Sequence, residues 1–206
     1  MDTRDKIIEE AAYMFRTYGI RAVTMDMLAG EMGISKRTIY EIFRDKDELL
    51  QGVMKWMAFK QVELTDKYLQ NSANVIEAIF GIMDNMMDHI KKMSPAFRLD
   101  MKRYHHDLIR KLRENNELPV NDMREILLRG ISEGVFRSDL DVDITDKCIT
   151  GMTRMSSDKE AFSEDFENEE VARDFFINYL RGISTRKGLD LIDQYNKKKT
   201  NGNNRI

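Results

Sequence analysis

Apolar residues recur at spacings of three and four along almost the whole chain, and proline interrupts that rhythm only at Pro95 and Pro119. Such spacing lays one apolar stripe along a helix and differs from the two-residue alternation of strands, so the sequence reads as all-helical. Ile7, Ile8, Ala11, Ala12 and Phe15 form the first stripe, and Gly19 stops it as a left-handed residue past a helix end would. Thr24 then stands as an N-cap before Met25, Leu28, Ala29 and Met32. Gly33 closes this short helix, and Ser35 opens the next only two residues later, with Ile39, Ile42 and Phe43 inward. Asp45 and Glu48 make a capping-box-like pair for a fourth helix carrying Leu49, Leu50, Val53, Met54 and Met57.

The later stripes are longer. Asn74 and Glu77 form another capping-box candidate before Ile79, Phe80, Met83, Met87 and Ile90. Ser94 and Pro95 read as N-cap and first helical residue, followed by Phe97, Met101, Tyr104, Leu108 and Leu112 on one stripe. Pro119 restarts the chain ahead of Met123, Ile126, Leu127, Gly130 and Ile131. A turn over 134–143 leads to Ile144, Cys148, Met152 and Met155. Residues 158–170 hold seven acids and one base and read as a solvated loop or helix start. Val171, Phe175, Phe176, Tyr179, Leu180 and Ile183 make a broad stripe, and the polar stretch 188–206, with Lys197, Lys198 and Lys199, is expected to fray.

Composition removes whole classes of function. A chain of 206 residues buries a core without disulfides, and its one cysteine favours a reducing, cytoplasmic address. No apolar run reaches the roughly 20 residues of a membrane span, and the charged opening MDTRDKIIEE lacks the apolar stretch of a signal peptide. A net charge of −3 excludes a globally basic nucleic-acid binder but not a locally basic one. The chain has no phosphate-cradling Gly-rich loop, no HExxH and no nucleophile elbow, so no enzyme and no cofactor are expected. His105 and His106 are adjacent and cannot face one ion from a helix, His89 is far away, and no metal is expected. Cys148 lies on an apolar stripe and reads as a buried structural thiol.

The informative segment is the first 50 residues. Two short helices joined by a Gly-containing turn describe a helix-turn-helix, whose second helix enters the DNA major groove and presents its N-terminal residues to base edges. That helix begins Ser35-Lys36-Arg37-Thr38-Ile39-Tyr40, offering two cations and two hydroxyls in its first turn. Arg and Lys donate to guanine O6 and N7, and Thr reaches a base edge or a thymine methyl. Tyr40 is placed to touch a phosphate, Thr24 caps the preceding helix, and Lys46 and the free N–H groups at the start of the fourth helix offer further phosphate contacts.

These residues resemble the DNA-binding domain of the tetracycline-repressor (TetR) family from Ile8 to Leu50. The likeness is carried by Ala11-Ala12, Phe15, Gly19, Thr24, Leu28-Ala29, Gly33-Ile34-Ser35 and Thr38-Ile39-Tyr40, and by the spacing of Tyr40, Phe43, Lys46 and Leu49. Gly130, Gly134, Phe136 and Arg137 echo the family's junction before its dimerisation helices. Arg37 stands where the family often has a small residue, so it either reads a base or lies along the phosphate backbone. Residues 1–48 contain 8 Lys and Arg against 10 Asp and Glu, so binding depends on where the cations Lys36, Arg37, Arg44 and Lys46 lie.

The resemblance implies an N-terminal three-helix DNA-binding domain (1–48), a helical ligand-sensing and dimerisation domain (49–187) and the polar tail (188–206). It implies a transcriptional regulator, expected to be a repressor, that binds a palindromic operator as a homodimer and is released by a small, largely apolar effector. The paired helices would use Ile144, Cys148, Met152, Met155, Val171, Phe175, Phe176, Tyr179, Leu180 and Ile183 across a two-fold axis. The effector pocket would draw on Trp56, Phe80, Met83, Met87, Phe97, Met101, Tyr104, His105, Met123, Leu127 and Met152, although the same residues suit an ordinary core. A protein-interaction module on this fold without operator binding, or more remotely a helical enzyme, are the alternatives that the residues leave open.

Overall fold

The computed structural model of the chain describes residues 2–119, 123–155 and 169–203. Among them are eleven helices: α1 Thr3–Tyr18, α2 Met25–Met32, α3 Lys36–Ile42, α4 Lys46–Asn71, α5 Val75–Lys91, α6 Pro95–Tyr104, α7 His106–Glu114, α8 Met123–Ser132, α9 Val142–Met155, α10 Glu169–Ile183 and α11 Arg186–Asn203. The only pairing of strand type among the described residues is an isolated bridge between Phe136 and Ser184. The fold is all-α. Of the acidic stretch, residues 158–168 lie outside the described residues, and Glu169 and Glu170 open α10.

The chain forms two compact units, the first from Met1–Leu64 with Asp88–Val120 and the second from Thr65–Met87 with Asn121–Ile206. In the first, Ile7, Ala11 and Phe15 of α1 pack with Leu28 of α2, Ile39 of α3, Phe43, and Leu49, Leu50 and Val53 of α4. Phe97 of α6 and Leu112 of α7 join the same core. Each fully buried Val, Leu, Ile or Phe side chain here contributes about 1.5–3 kcal/mol of transfer free energy. The expected caps form: Thr24 Oγ1 accepts from Met27 N–H at 3.1 Å, Ser35 Oγ from Thr38 N–H at 3.1 Å, and Ser94 Oγ from Phe97 N–H at 3.1 Å. At α4, Asp45 accepts from Glu48 N–H at 2.8 Å, while the Glu48 carboxylate takes the Arg44 N–H at 2.7 Å.

Helix α6 lies along the end of α1 and the turn that follows it. Ser94 N–H donates to Arg16 O at 2.9 Å, and the buried Asp100 carboxylate accepts from Arg21 N–H at 2.8 Å. Gly19, at φ +92°, lets α6 approach: a Cβ there would stand 2.8 Å from that of Ala96. The Arg21 guanidinium covers the Tyr104 ring at 4.5 Å. One stripe was expected from Phe97 to Leu112, but His105 breaks it into α6 and α7 with φ −120° and ψ 9°. Neither proline nor glycine marks this break; it falls where α6 is held to the Gly19–Arg21 turn, and α7 restarts with Ile109 N–H on His105 O.

In the second unit, Ile76, Ile79, Phe80 and Met83 of α5 pack with Ile126 and Leu127 of α8, Ile149 of α9, Ile177, Leu180 and Ile183 of α10, and Ile192 of α11. Arg129 of α8 donates to Leu69 O and Ser72 O at the end of α4 and to Glu133 at 2.6 Å. The second oxygen of Glu133 takes Val75 N–H, the start of α5, at 2.7 Å. Gly130 accommodates the buried Phe136 ring, which would lie 2.1 Å from a Cβ at that position. Phe136 N–H returns to Gly130 O, and Arg137 N–H donates to Ile183 O.

Two expectations are corrected here. The stretch after 187 is not a frayed tail as far as Asn203: it forms α11, because Ile192 is wholly buried and the absence of a side chain at Gly188 admits the helix against Val135 O. An Arg181–Asp193 ion pair ties it to α10. Cys148 is exposed rather than buried. Helix α9 turns Thr145 and Ile149 inward, which rotates the neighbouring stripe of Ile144 and Cys148 to the surface.

Candidate DNA-binding interface

Helix α3 is displayed by its inner face. Ile39 and Phe43 are completely buried, so the positions between them in the helical repeat, Lys36, Arg37, Tyr40 and Glu41, face outward. The entry to α3 is set by Gly33 at φ +64°, a left-handed conformation that favours glycine, with Ile34 N–H closing on Ala29 O at 3.0 Å. Ser35 and Thr38 bond each other through their hydroxyls at 2.9 Å.

Each cation expected at this face has a partner. Lys36 Nζ donates to Asp26 Oδ2 at 2.6 Å, linking the first turns of α3 and α2, and stands 6.0 Å over the Tyr40 ring. The Asp26 hydrogen bond raises the Lys36 pKa above that of an ordinary lysine. Arg37 Nε pairs with Glu41 at 2.9 Å, its side chain 87% exposed. Arg44 pairs with Asp45 at 2.9 Å. Lys46 does not stand free for a phosphate: its ammonium donates to Val23 O, 5.8 Å over the Phe15 ring, and burial pushes its pKa down. It thereby clamps the start of α4 to the residue before the Thr24 cap.

Thus Thr24, Ser35, Lys36, Arg37, Thr38 and Tyr40 are brought to the entries of α2 and α3 and the outer face of α3, and Lys46 lies half-buried behind them. Sequence reasoning missed Asp26 and Glu41, the acids that hold Lys36 and Arg37, although Glu41 falls at the i, i+4 spacing of a helical ion pair. It also missed Arg4, whose guanidinium covers Phe43 at 5.3 Å, and the Asp100 grip on Arg21, which no local pattern announces across 79 residues.

The expected effector residues fall in both units. Phe97 belongs to the first core, with Trp56 and Met101 packed against it, Tyr104 is exposed and His105 sits at the break before α7. Phe80, Met83 and Leu127 belong to the second core with Met123 against it, and Met87 is buried in the second unit. Of the expected dimer residues, Ile144, Cys148 and Phe175 are exposed, Phe176 and Tyr179 are half-buried, and Leu180 and Ile183 are buried within their own chain. The side chains of Met152, Met155 and Val171 lie outside the described residues.

The family pattern described as "Bacterial regulatory proteins, tetR family" matches residues 7–53. The HTH-type transcriptional repressor KstR2 of Mycobacterium tuberculosis is 27% identical over 199 residues, spanning 90% of this chain and 94% of the relative. A TetR-family transcriptional regulator from Pectobacterium atrosepticum superposes with a TM-score of 0.61 at 18% identity, over 89% of this chain and 95% of the other. One from Marinobacter aquaeolei gives 0.59 at 17% identity, over 95% and 99%. These two share the fold. The buried anchors Ile39 and Phe43, the two capped helices and the outward Lys36, Arg37 and Tyr40 fall inside the matched segment, so residues 7–53 are similar to the tetR-family DNA-binding pattern and the chain shares the all-helical fold of these regulators.

Proposed function

We propose that the protein is a repressor that binds a palindromic operator as a homodimer and leaves it when a small, largely apolar effector binds. The observation that carries the DNA-reading part is the outer face of α3, with Arg37 almost wholly exposed on a helix that Ile39 and Phe43 lock in place. In this reading residues 1–48 are the reading domain. Lys36, Arg37 and Thr38 meet base edges, while Thr24, Ser35 and Tyr40 meet the backbone, and Lys46 acts by holding Val23. Repression is supported by the function that the KstR2 relative's name carries.

The dimer is supported by large apolar side chains left outside on α9 and α10: Ile144 is 60% exposed and Phe175 52%. Two recognition helices related by a two-fold axis would read half-sites about 34–36 Å apart. The effector site is proposed in the second unit around Phe80, Met83, Met123 and Leu127, where flexible Met side chains adapt to an apolar guest. Arg173 lends support. Its guanidinium covers Phe80 at 5.8 Å, and its buried Nε–H has no acceptor among the described residues, a place for one polar atom of the ligand. A ligand that prefers the state less suited to DNA lowers affinity through that preference alone.

The second reading, an interaction module without operator binding, is favoured by one observation, the carboxylate held by each outward cation. Selection of sites from random DNA with the purified full chain separates the two. An enriched palindrome supports the repressor reading, and a folded dimer that enriches nothing supports the module. At an enriched site, Tyr40→Phe should weaken all sequences alike. Arg37→Ala or Thr38→Ala should instead change the preferred bases by about 1–3 kcal/mol per contact.

A further inference from the structure

We propose that Asp26 and Glu41 are specificity-determining residues: by neutralising Lys36 and Arg37 they suppress phosphate-driven binding to arbitrary DNA while leaving base reading intact. This rests on the operator-binding reading above. Non-specific affinity comes from positive side chains that displace counterions from phosphates. On this reading face Lys36 is held by Asp26 at 2.6 Å, Arg37 by Glu41 at 2.9 Å and Arg44 by Asp45 at 2.9 Å, while Lys46 is turned to Val23 O. The first 48 residues carry two more acids than bases. A phosphate approaching Lys36 meets a cancelled charge and then the Asp26 carboxylate itself, which is 68% exposed.

A base edge is treated differently. Lysine has three N–H donors and arginine five. Asp26 uses a donor of Lys36, and Glu41 takes the Nε–H of Arg37. The remaining donors reach guanine O6 or N7, which are neutral acceptors, without breaking either pair. A carboxylate fixed beside the donor therefore subtracts from phosphate attraction and hardly at all from base recognition. The Lys36–Asp26 pair also spans α2 and α3, so it holds the lysine in one place for reading.

The test compares wild type, Asp26→Asn, Glu41→Gln, the double variant and Asp26→Glu. Binding is read by fluorescence anisotropy on the duplex that wild type selects and on a scrambled duplex of equal length, across a salt series. Asp26→Asn and Glu41→Gln should each tighten binding to the scrambled duplex about fivefold, and the selected duplex by less than about twofold. The slope of log affinity against log salt on scrambled DNA should steepen by about 0.9 for each phosphate newly neutralised. Asp26→Glu, which keeps the charge, should restore the wild-type ratio. Equal tightening on both duplexes, or none from variants that melt as wild type does, overturns the proposal. Thermal melting checks folding, and the exposed Glu41→Gln change tests the idea even if the α2–α3 bridge proves structural. A wild type that selects no site refutes the operator reading and this proposal with it. A wild type that selects one, with variants that keep its ratio, refutes this proposal alone.

Discussion

Replacing Arg129 with methionine should destabilise the second unit by about 2–4 kcal/mol, and the structure shows why the figure is of that size. Three donor groups of this one guanidinium reach Leu69 O, Ser72 O at 3.1 Å and Glu133 at 2.6 Å. A hydrogen bond to a charged group contributes about 1.5–3 kcal/mol, but these share one side chain and are not additive. The Arg129 side chain is 27% exposed and that of Glu133 23%, so water replaces part of what is lost. Methionine keeps the stem packing and isolates the polar loss. It uncaps carbonyls at the end of α4 and leaves Glu133, which still holds Val75 N–H, without its cation. Urea unfolding followed by circular dichroism measures the effect, and the melting temperature should fall by about 5–15 °C. Arg129→Lys should recover less than half, because an ammonium cannot fork between two carbonyls and a carboxylate. A cycle with Glu133→Gln should give a coupling of at least about 1 kcal/mol. An Arg129→Met protein within about 0.5 kcal/mol of wild type, or a fully stable Arg129→Lys, would refute the reasoning.

Further outcomes follow from other contacts. Gly130→Ala should cost about 1–3 kcal/mol or more in denaturant titrations, because its Cβ would stand 2.1 Å from the buried Phe136 ring, and Phe136→Leu in the same chain should relieve part of it. Lys46→Met should lower stability by about 1 kcal/mol and weaken operator and scrambled DNA alike with an unchanged salt slope; a slope shallower by about 0.9 would show that the ammonium meets a phosphate instead. Burial lowers the His105 pKa against the opposing pull of Asp47 and Asp100, so the unfolded chain binds this proton more readily than the folded one. Stability should therefore fall as pH drops below about 6.5, the ordinary histidine value, and stop falling once pH passes below the folded pKa. His89, also lowered chiefly by burial, adds to the same window. Denaturation midpoints from pH 8 to pH 5 should flatten in His105→Gln; an unchanged profile would rule His105 out as a contributor.

What was legible in the sequence is what short-range physics settles. The caps Thr24, Ser35, Asp45 and Ser94, the Gly33 turn and the buried stripe from Ile7 to Phe43 depend on residues within a few positions of one another, and all formed. The outward face of α3 followed, since a helix that buries Ile39 and Phe43 must expose Lys36, Arg37 and Tyr40. What only the tertiary structure decided was where a charge or an ambiguous stripe turned. Lys46 could reach solvent or Val23, and the packing around Phe15 chose Val23. Helix α9 could bury Ile144 and Cys148 or Thr145 and Ile149, two stripes one residue apart, and the neighbouring core selected the second. The polar composition after residue 187 suggested disorder, yet Ile192 and the gap left by Gly188 were enough to dock a helix. Periodicity determines that a face exists and caps determine where it begins. Which of two adjacent faces is buried, and which partner a long charged side chain takes, depends on surfaces that distant parts of the chain supply.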